Sequence, residues 1–184
     1  MIQLKTYTAQ EANIISFEPL PLYQLSALAD EIVQAVSRCR PEFALLVKLQ
    51  RDCGCRIQEL FQPNRWTRVT IKRVQIQPQK GNAARVLEMT EIGIPNSDTF
   101  DNIKADMERL PNRQYERAVK AEILARGIWR LYDNGFAHPS THMFRHIKIQ
   151  ELAAAGNDKA YIANWIGEKS EDNLDYYLNS RYYI

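Results

Sequence analysis

The sequence predicts an α+β fold, mainly α, in which helices frame one small antiparallel β-hairpin. Three observations carry that expectation. Apolar residues recur at helical spacing over much of the chain. One central stretch breaks that period: "TRVTIKRVQIQ" and "ARVLEMTEI" alternate in the manner of strands on either side of the turn-like "PQKGNA". Gly156 and Gly167 then close short helical runs, so the order is helices, hairpin, helices.

Taken in order, residues 1–20 show no helical period, and Pro19 and Pro21 close them as an N-terminal arm or edge strand. Leu25, Leu28, Ile32, Val33 and Val36 predict a helix over 24–38. Pro41 restarts a second helix carrying Phe43, Leu46, Val47 and Leu49. After "CRIQELF", the Gln62-Pro63-Asn64 break introduces the hairpin, with Lys80-Gly81-Asn82 at its turn. Asn112 is suited to cap a helix running to Asp133 through Tyr115, Val119, Ile123, Ile128 and Leu131. Three shorter helices follow, over 141–154, 158–166 and 171–179.

The chain of 184 residues suits one domain with a short extension. No apolar run approaches the roughly 20 residues needed to span a bilayer, and the N-terminus lacks the order of a signal peptide, so a cytoplasmic location without membrane contact is expected. Three cysteines, two of them flanking Gly54, fit neither a disulfide framework nor a metal knuckle. A formal charge of +2 does not by itself argue for nucleic acid. Basic residues do cluster, at Arg65, Arg68, Lys72 and Arg73 and again at Arg109, Arg113, Arg117 and Lys120.

All three histidines lie in "AHPSTHMFRHIK". Spacing alone suggests a metal site on one helical face, but Pro139 forces His138 out of the α region, and two imidazoles without a third ligand make a poor one. With Ser140 or Thr141 as N-cap, His142 falls in the first turn and Arg145 on the same face. Free backbone N–H groups, a histidine and an arginine fork together suit a phosphodiester.

Five motifs in succession, "GCRIQEL" (54–60), "IQPQKGNAARVL" (76–87), "HMFRH" (142–146), "IANWIGEKS" (162–170) and "YY" (176–177), resemble those of the tyrosine recombinases, or phage integrases. The resemblance runs from residue 21 to the C-terminus. It implies a helical tyrosine-recombinase catalytic domain over 21–184, with a β-hairpin carrying the lysine. It also implies catalytic roles for Arg56, Lys80, His142, Arg145 and Tyr177. Tyr177 is preferred to Tyr176 because the family's tyrosine usually lies nine residues after the position held here by Glu168. Glu59 resembles the family's acidic supporting residue and His146 a supporting second histidine. Arg65, Arg68, Lys72, Arg73 and Arg85, on or beside the hairpin, are then expected to contact DNA.

The implied activity is DNA strand cleavage and rejoining through a covalent 3′-phosphotyrosine, with no metal and no cofactor. Two guanidinium groups stabilise the charge on the transferring phosphoryl group, the histidine assists the phenol, and the lysine protonates the leaving 5′ oxygen. Double-stranded DNA is the implied partner, with homo-oligomers on DNA and an accessory DNA-binding protein allowed for. The pattern departs at Glu168, where the family has a His or Trp donor; an ionised glutamate accepts hydrogen bonds and repels a phosphate. Three arrangements are open: a protonated Glu168, one turned toward Lys169, or one whose donor role passes to Trp165. The alternatives are a catalytically attenuated DNA-binding relative and a relaxase-like enzyme that nicks one strand. Residues 1–20 cannot form the N-terminal clamping domain of many family members, so a catalytic-domain-only member is expected.

Overall fold

The computed structural model describes residues 6–7, 18–78, 83–132, 135–137 and 140–184, of which 6–7, 132 and 135–137 by backbone alone. The two leading helices form as the spacing predicts, α1 over Leu22–Cys39 and α2 over Ala44–Cys53, joined by a tight turn at Pro41–Phe43. Their apolar faces meet through Ile32, Val36, Phe43, Leu46 and Val47, all at or near zero exposure. Gly54 takes φ 69°, the left-handed conformation that ends α2 and turns the chain into the one-turn helix α3 (Ile57–Leu60).

The predicted hairpin is one strand larger than expected. "TRVTIKRVQIQ" divides at residues 69–72 into β2 (Trp66–Arg68) and β3 (Arg73–Ile76), and β4 (Arg85–Glu88) completes an antiparallel sheet in the order β2-β3-β4. Val74 and Ile76 pair with Leu87 and Arg85 on the inner face. The turn residues Lys80, Gly81 and Asn82 lie outside the described residues, as does His138.

Helix α4 (Ser97–Arg109) follows, capped by the Asn96 side chain on the Thr99 amide at 2.9 Å, and then α5 (Asn112–Ala125). The expected helix to Asp133 stops eight residues short. Gly127, at φ 66°, ends it, and Ile128 and Leu131 belong to a return strand, β5 (Trp129–Tyr132). That strand is central in a second antiparallel sheet, ordered β1-β6-β5-β7, with β1 (Thr6–Tyr7), β6 (Gly135–Ala137) and β7 (Tyr182–Tyr183). The C-terminal "RYYI" thus packs on its own domain: β7 pairs with β5, and the Tyr182 carbonyl accepts from the Leu20 amide at 2.8 Å.

The last helices are α6 (Met143–Ala154), α7 (Lys159–Ile166) and α8 (Leu174–Leu178). Helix α6 is buried along most of its length, against α1, α2, α7 and α8. A partly buried polar cluster around buried Arg51 fixes it to the first two helices: Arg51 donates to Glu151 at 3.0 and 2.6 Å and to Asp30 at 3.1 Å, and Ser26 donates to Glu151 at 2.8 Å. Tyr115 of α5 brings its ring edge-on to Phe43 and hydrogen-bonds Gln50 at 2.7 Å, which satisfies a hydroxyl that burial would otherwise strand. Among the described residues no helix is long and apolar enough to cross a membrane.

Candidate active site

Three segments distant in sequence meet at the head of α6. Gly54 brings the chain close under α7; a Cβ there would lie 2.9 Å from Ile166 Cδ1, so the position is sterically reserved for glycine. Arg56, next but one, begins α3. Its backbone N–H donates to Glu59 Oε2 at 2.9 Å, and its side chain is 15% exposed. At the start of α6 the cap shifts from the expected place: Met143 is the first helical residue, His142 holds the cap position, and Ser140 Oγ accepts from the His142 amide at 3.3 Å.

One turn on, Arg145 is fully buried. Its Nη1 donates to the Gly54 carbonyl at 3.2 Å and its Nε to Tyr177 Oη at 3.3 Å. His142 Nε2 lies 3.2 Å from the same phenolic oxygen. Because a guanidinium can only donate, the Tyr177 oxygen accepts from Arg145 and its own hydrogen is free to point at His142. His142, Arg145 and Tyr177 therefore converge, with Arg56 reaching the same Glu168 oxygen as Arg145, and Tyr176 stands apart: it is 55% exposed, with Arg130 over its ring at 4.6 Å.

Tyr177 is held from behind by Ser180 and Gln150, which the motifs do not identify, and by His146, which they do. Ser180 Oγ donates to the Tyr177 carbonyl at 2.7 Å, Gln150 Nε2 donates to the same carbonyl at 2.9 Å, and His146 Nδ1 meets Ser180 Oγ at 2.9 Å. Since the Ser180 hydrogen is used on the carbonyl, His146 carries its proton on Nδ1 and donates. Its ring packs 4.7 Å from that of Tyr177, so its part is support. Burial, then the charge of Arg145 and other arginines, pulls the His142 pKa down to about 3; burial and Arg130 pull that of His146 down to about 2. Both rings are neutral at neutral pH.

Several solved structures share this architecture. The XerA recombinase aligns with 13% identity over 83% of this chain and 58% of its own, at a TM-score of 0.57. A lambda integrase dimer bound to a COC′ core site aligns with 17% identity over 97% and 49%, at 0.59. The XerH site-specific recombinase bound to difH substrate in a pre-cleavage complex aligns with 19% identity over 89% and 52%, at 0.55. The fold is that of the tyrosine recombinase catalytic domain. The chain spans about half to three-fifths of the length of these recombinases. No protein-family model and no curated protein matches the sequence.

Within this recombinase fold, Glu168 takes none of the three arrangements that the sequence left open. It points into the site: Oε1 accepts from Arg56 Nη2 at 2.5 Å and from Arg145 Nη2 at 2.8 Å, and Oε2 accepts from Asn173 at 3.4 Å. Burial alone would raise its carboxyl, but the hydrogen bond and charge of Arg145, with the charge of Arg56, outweigh burial and hold it below the usual carboxylate range. Glu168 is ionised and paired. Trp165 does not stand in as donor, because its indole N–H is committed to the Cys53 carbonyl at 3.2 Å.

The expected DNA contacts divide. Arg85 has no exposed side chain; it grips Glu59 with both terminal nitrogens, at 3.1 and 3.0 Å, and is an internal strut of the recombinase fold where a DNA contact was expected. Glu59 in turn receives the Arg56 amide. Burial pushes its carboxyl up, and Arg85 more than offsets that, leaving it ionised. Arg65 is half-turned inward, bonded to Gln62 and to the Pro78 carbonyl at the foot of the hairpin. Arg68 and Lys72 are exposed, and exposed Arg73 pairs with Glu88 at 2.6 Å. Among the described residues, no cluster of three His, Cys, Asp or Glu side chains is placed to hold a metal.

Proposed function

We propose that the protein cleaves and rejoins DNA strands in site-specific recombination, through a covalent 3′-phosphotyrosine on Tyr177. The observation that carries this reading is that Tyr177 Oη sits between His142 Nε2 and Arg145 Nε, at 3.2 and 3.3 Å, while Arg145 and Arg56 direct donors to one shared acceptor beside it. In this reading Arg56 and Arg145 hold the non-bridging oxygens of the scissile phosphate and stabilise the charge that spreads over them. The Tyr177 oxygen attacks phosphorus in line, and its proton passes toward His142. The 5′ oxygen leaves and takes a proton from Lys80, the general acid that the resemblance implies. A new phosphotyrosine bond replaces the phosphodiester bond, so the strand can be resealed without an external energy source.

His142 is a weak base while burial first, and then the charges of Arg145 and Arg56, hold its pKa low; a phosphodiester between those two arginines opposes their part of the shift and strengthens the base where it is needed. Residues 21–184 form the catalytic unit. Arg68 and Lys72 extend the contact to duplex DNA, and a cytoplasmic place of action is part of the same reading. A nicked suicide duplex tests the reading: the chain is expected to form a covalent protein–DNA adduct. No adduct, with salt-sensitive duplex binding intact, would instead identify an attenuated DNA-binding protein, the reading favoured by the carboxylate of Glu168 lying against both arginines.

A further inference from the structure

The donors that a phosphate would need are already in use. Arg56 Nη2 and Arg145 Nη2 both point at Glu168 Oε1, at 2.5 and 2.8 Å, the two-guanidinium grip that a non-bridging phosphate oxygen would take from the same pair. Tyr177 Oη is bonded to Arg145 in the same cluster. A phosphate brought to Tyr177 and the carboxylate of Glu168 therefore compete for the same nitrogens, and two anions cannot share them without repelling each other.

We propose that Glu168 is an exchangeable internal counter-ion, which fills the phosphate seat of Arg56 and Arg145 in the free protein and is displaced when a DNA phosphodiester enters. This rests on the reading of the site given above and deepens it.

The way Glu168 is anchored supports exchange. Its backbone is fixed: Gly167 ends α7 at φ 78° and the Glu168 amide donates to the Ala163 carbonyl at 2.9 Å. The Gly167 carbonyl accepts from the Ala83 amide at 3.2 Å, so the backbone of this corner also braces the foot of the hairpin. Among the described residues, the carboxylate itself is held by the two arginines and by a long bond to Asn173. Lys169 and Ser170, which follow, are exposed, so a rotation of the side chain alone carries the carboxylate toward solvent. Arg56 supplies a second sign. Among the described residues its buried Nη1 has no hydrogen-bond partner and lies 3.8 Å from Glu59 Oε1. One carboxylate oxygen leaves this fork half used, and a tetrahedral phosphate, with oxygens in several directions, can fill it.

An isosteric exchange, Glu168→Gln, removes the negative charge and keeps the shape. Inorganic phosphate is the first probe, titrated against the thermal unfolding of the folded protein, where no cleavage can occur. Without phosphate, Glu168→Gln is expected to melt below the native chain, because Arg145 loses its counter-ion. Phosphate is expected to bind it at least tenfold more tightly than the native chain and to restore the lost melting temperature. Asn173→Ala, which removes only the outer anchor of the carboxylate, is expected to tighten phosphate binding several-fold and serves where Glu168→Gln does not fold. Duplex DNA is the second probe, and Glu168→Gln is expected to tighten its binding as well.

Equal phosphate affinity in the native chain and in whichever of these variants folds would overturn the proposal. So would tighter binding of inorganic phosphate with unchanged duplex affinity, which would assign the seat to a free anion. Neither readout requires a competent Tyr177, so failure of strand cleavage and failure of the counter-ion exchange are separately visible.

Discussion

Acidifying the protein from about pH 7.5 to about pH 5 should remove a large part of its stability through two histidines. His142 and His146 remain neutral in the folded chain, with pKa values drawn down to about 3 and about 2. In the unfolded chain each binds a proton near the ordinary value of about 6.5. Below that value the unfolded state holds more protons than the folded one. The stability these rings contribute is therefore complete above about pH 6.5 and is lost progressively as the pH falls toward the folded values. At about 1.4 kcal/mol per pH unit and per ring, reaching about pH 5 removes about 2 kcal/mol for each, or about 4 kcal/mol together. A domain of this size has only about 5–15 kcal/mol in all. The carboxyls of Glu59, Glu151 and Glu168 are all held below the usual range, so their contributions are lost only at more acidic pH and leave this window to the histidines. Urea unfolding at the two pH values measures the difference, and His146→Asn should halve it. A pH-independent midpoint, or a loss unchanged by both His146→Asn and His142→Asn, would refute the reasoning.

Three further outcomes are expected. Arg85→Met leaves the Glu59 carboxylate buried without its partner and should destabilise the chain by about 3–5 kcal/mol in denaturant unfolding, with Glu59→Gln added to it recovering part of the loss. Arg68→Ala and Lys72→Ala should weaken duplex binding to a similar degree for all sequences and should each flatten the dependence of log affinity on log salt by about one unit, whereas removal of a purely solvated charge would leave the slope unchanged. A chelator should alter neither adduct yield nor melting temperature; a loss of either on chelation would point to a metal that this mechanism does not use.

How far the sequence reports the structure differs from element to element. Helices α1, α2, α6 and α7 follow from apolar spacing, and α2, α6 and α7 also from Gly54, Gly156 and Gly167 in the left-handed region at their C-terminal ends, which are local signals. Strand β5 is not legible in that way. Ile128 and Leu131 continue the period of α5, and what makes this segment a strand is pairing with β6 and β7, the latter some fifty residues away in sequence. Helix α4 gives a weak signal because only Phe100, Ile103 and Met107 are buried among thirteen residues.

In the site, the pairing of His142 with Arg145 is a matter of spacing, whereas the choice of Tyr177 over Tyr176 comes from the family resemblance; the structure places His142 and Arg145 against Tyr177 and leaves Tyr176 exposed. The stripe of histidines does continue at four-residue intervals, but forward to Gln150, whose side chain holds the carbonyl of Tyr177. Arg85 reads as a surface cation after a turn, and nothing local reveals that Glu59, twenty-six residues earlier, takes both of its terminal nitrogens. Glu168 reads as a repulsion toward phosphate. Only the folded structure shows the same charge satisfied by the two arginines that the phosphate would need.

The central claim is that Tyr177 attacks DNA, and a nicked suicide duplex tests it most directly through the covalent adduct resolved on a denaturing gel. The native chain and Tyr176→Phe are expected to form the adduct, and Tyr177→Phe, which keeps the ring and loses only the nucleophilic oxygen, is expected to form none. An adduct that persists in Tyr177→Phe, or one lost in Tyr176→Phe alone, would contradict the assignment.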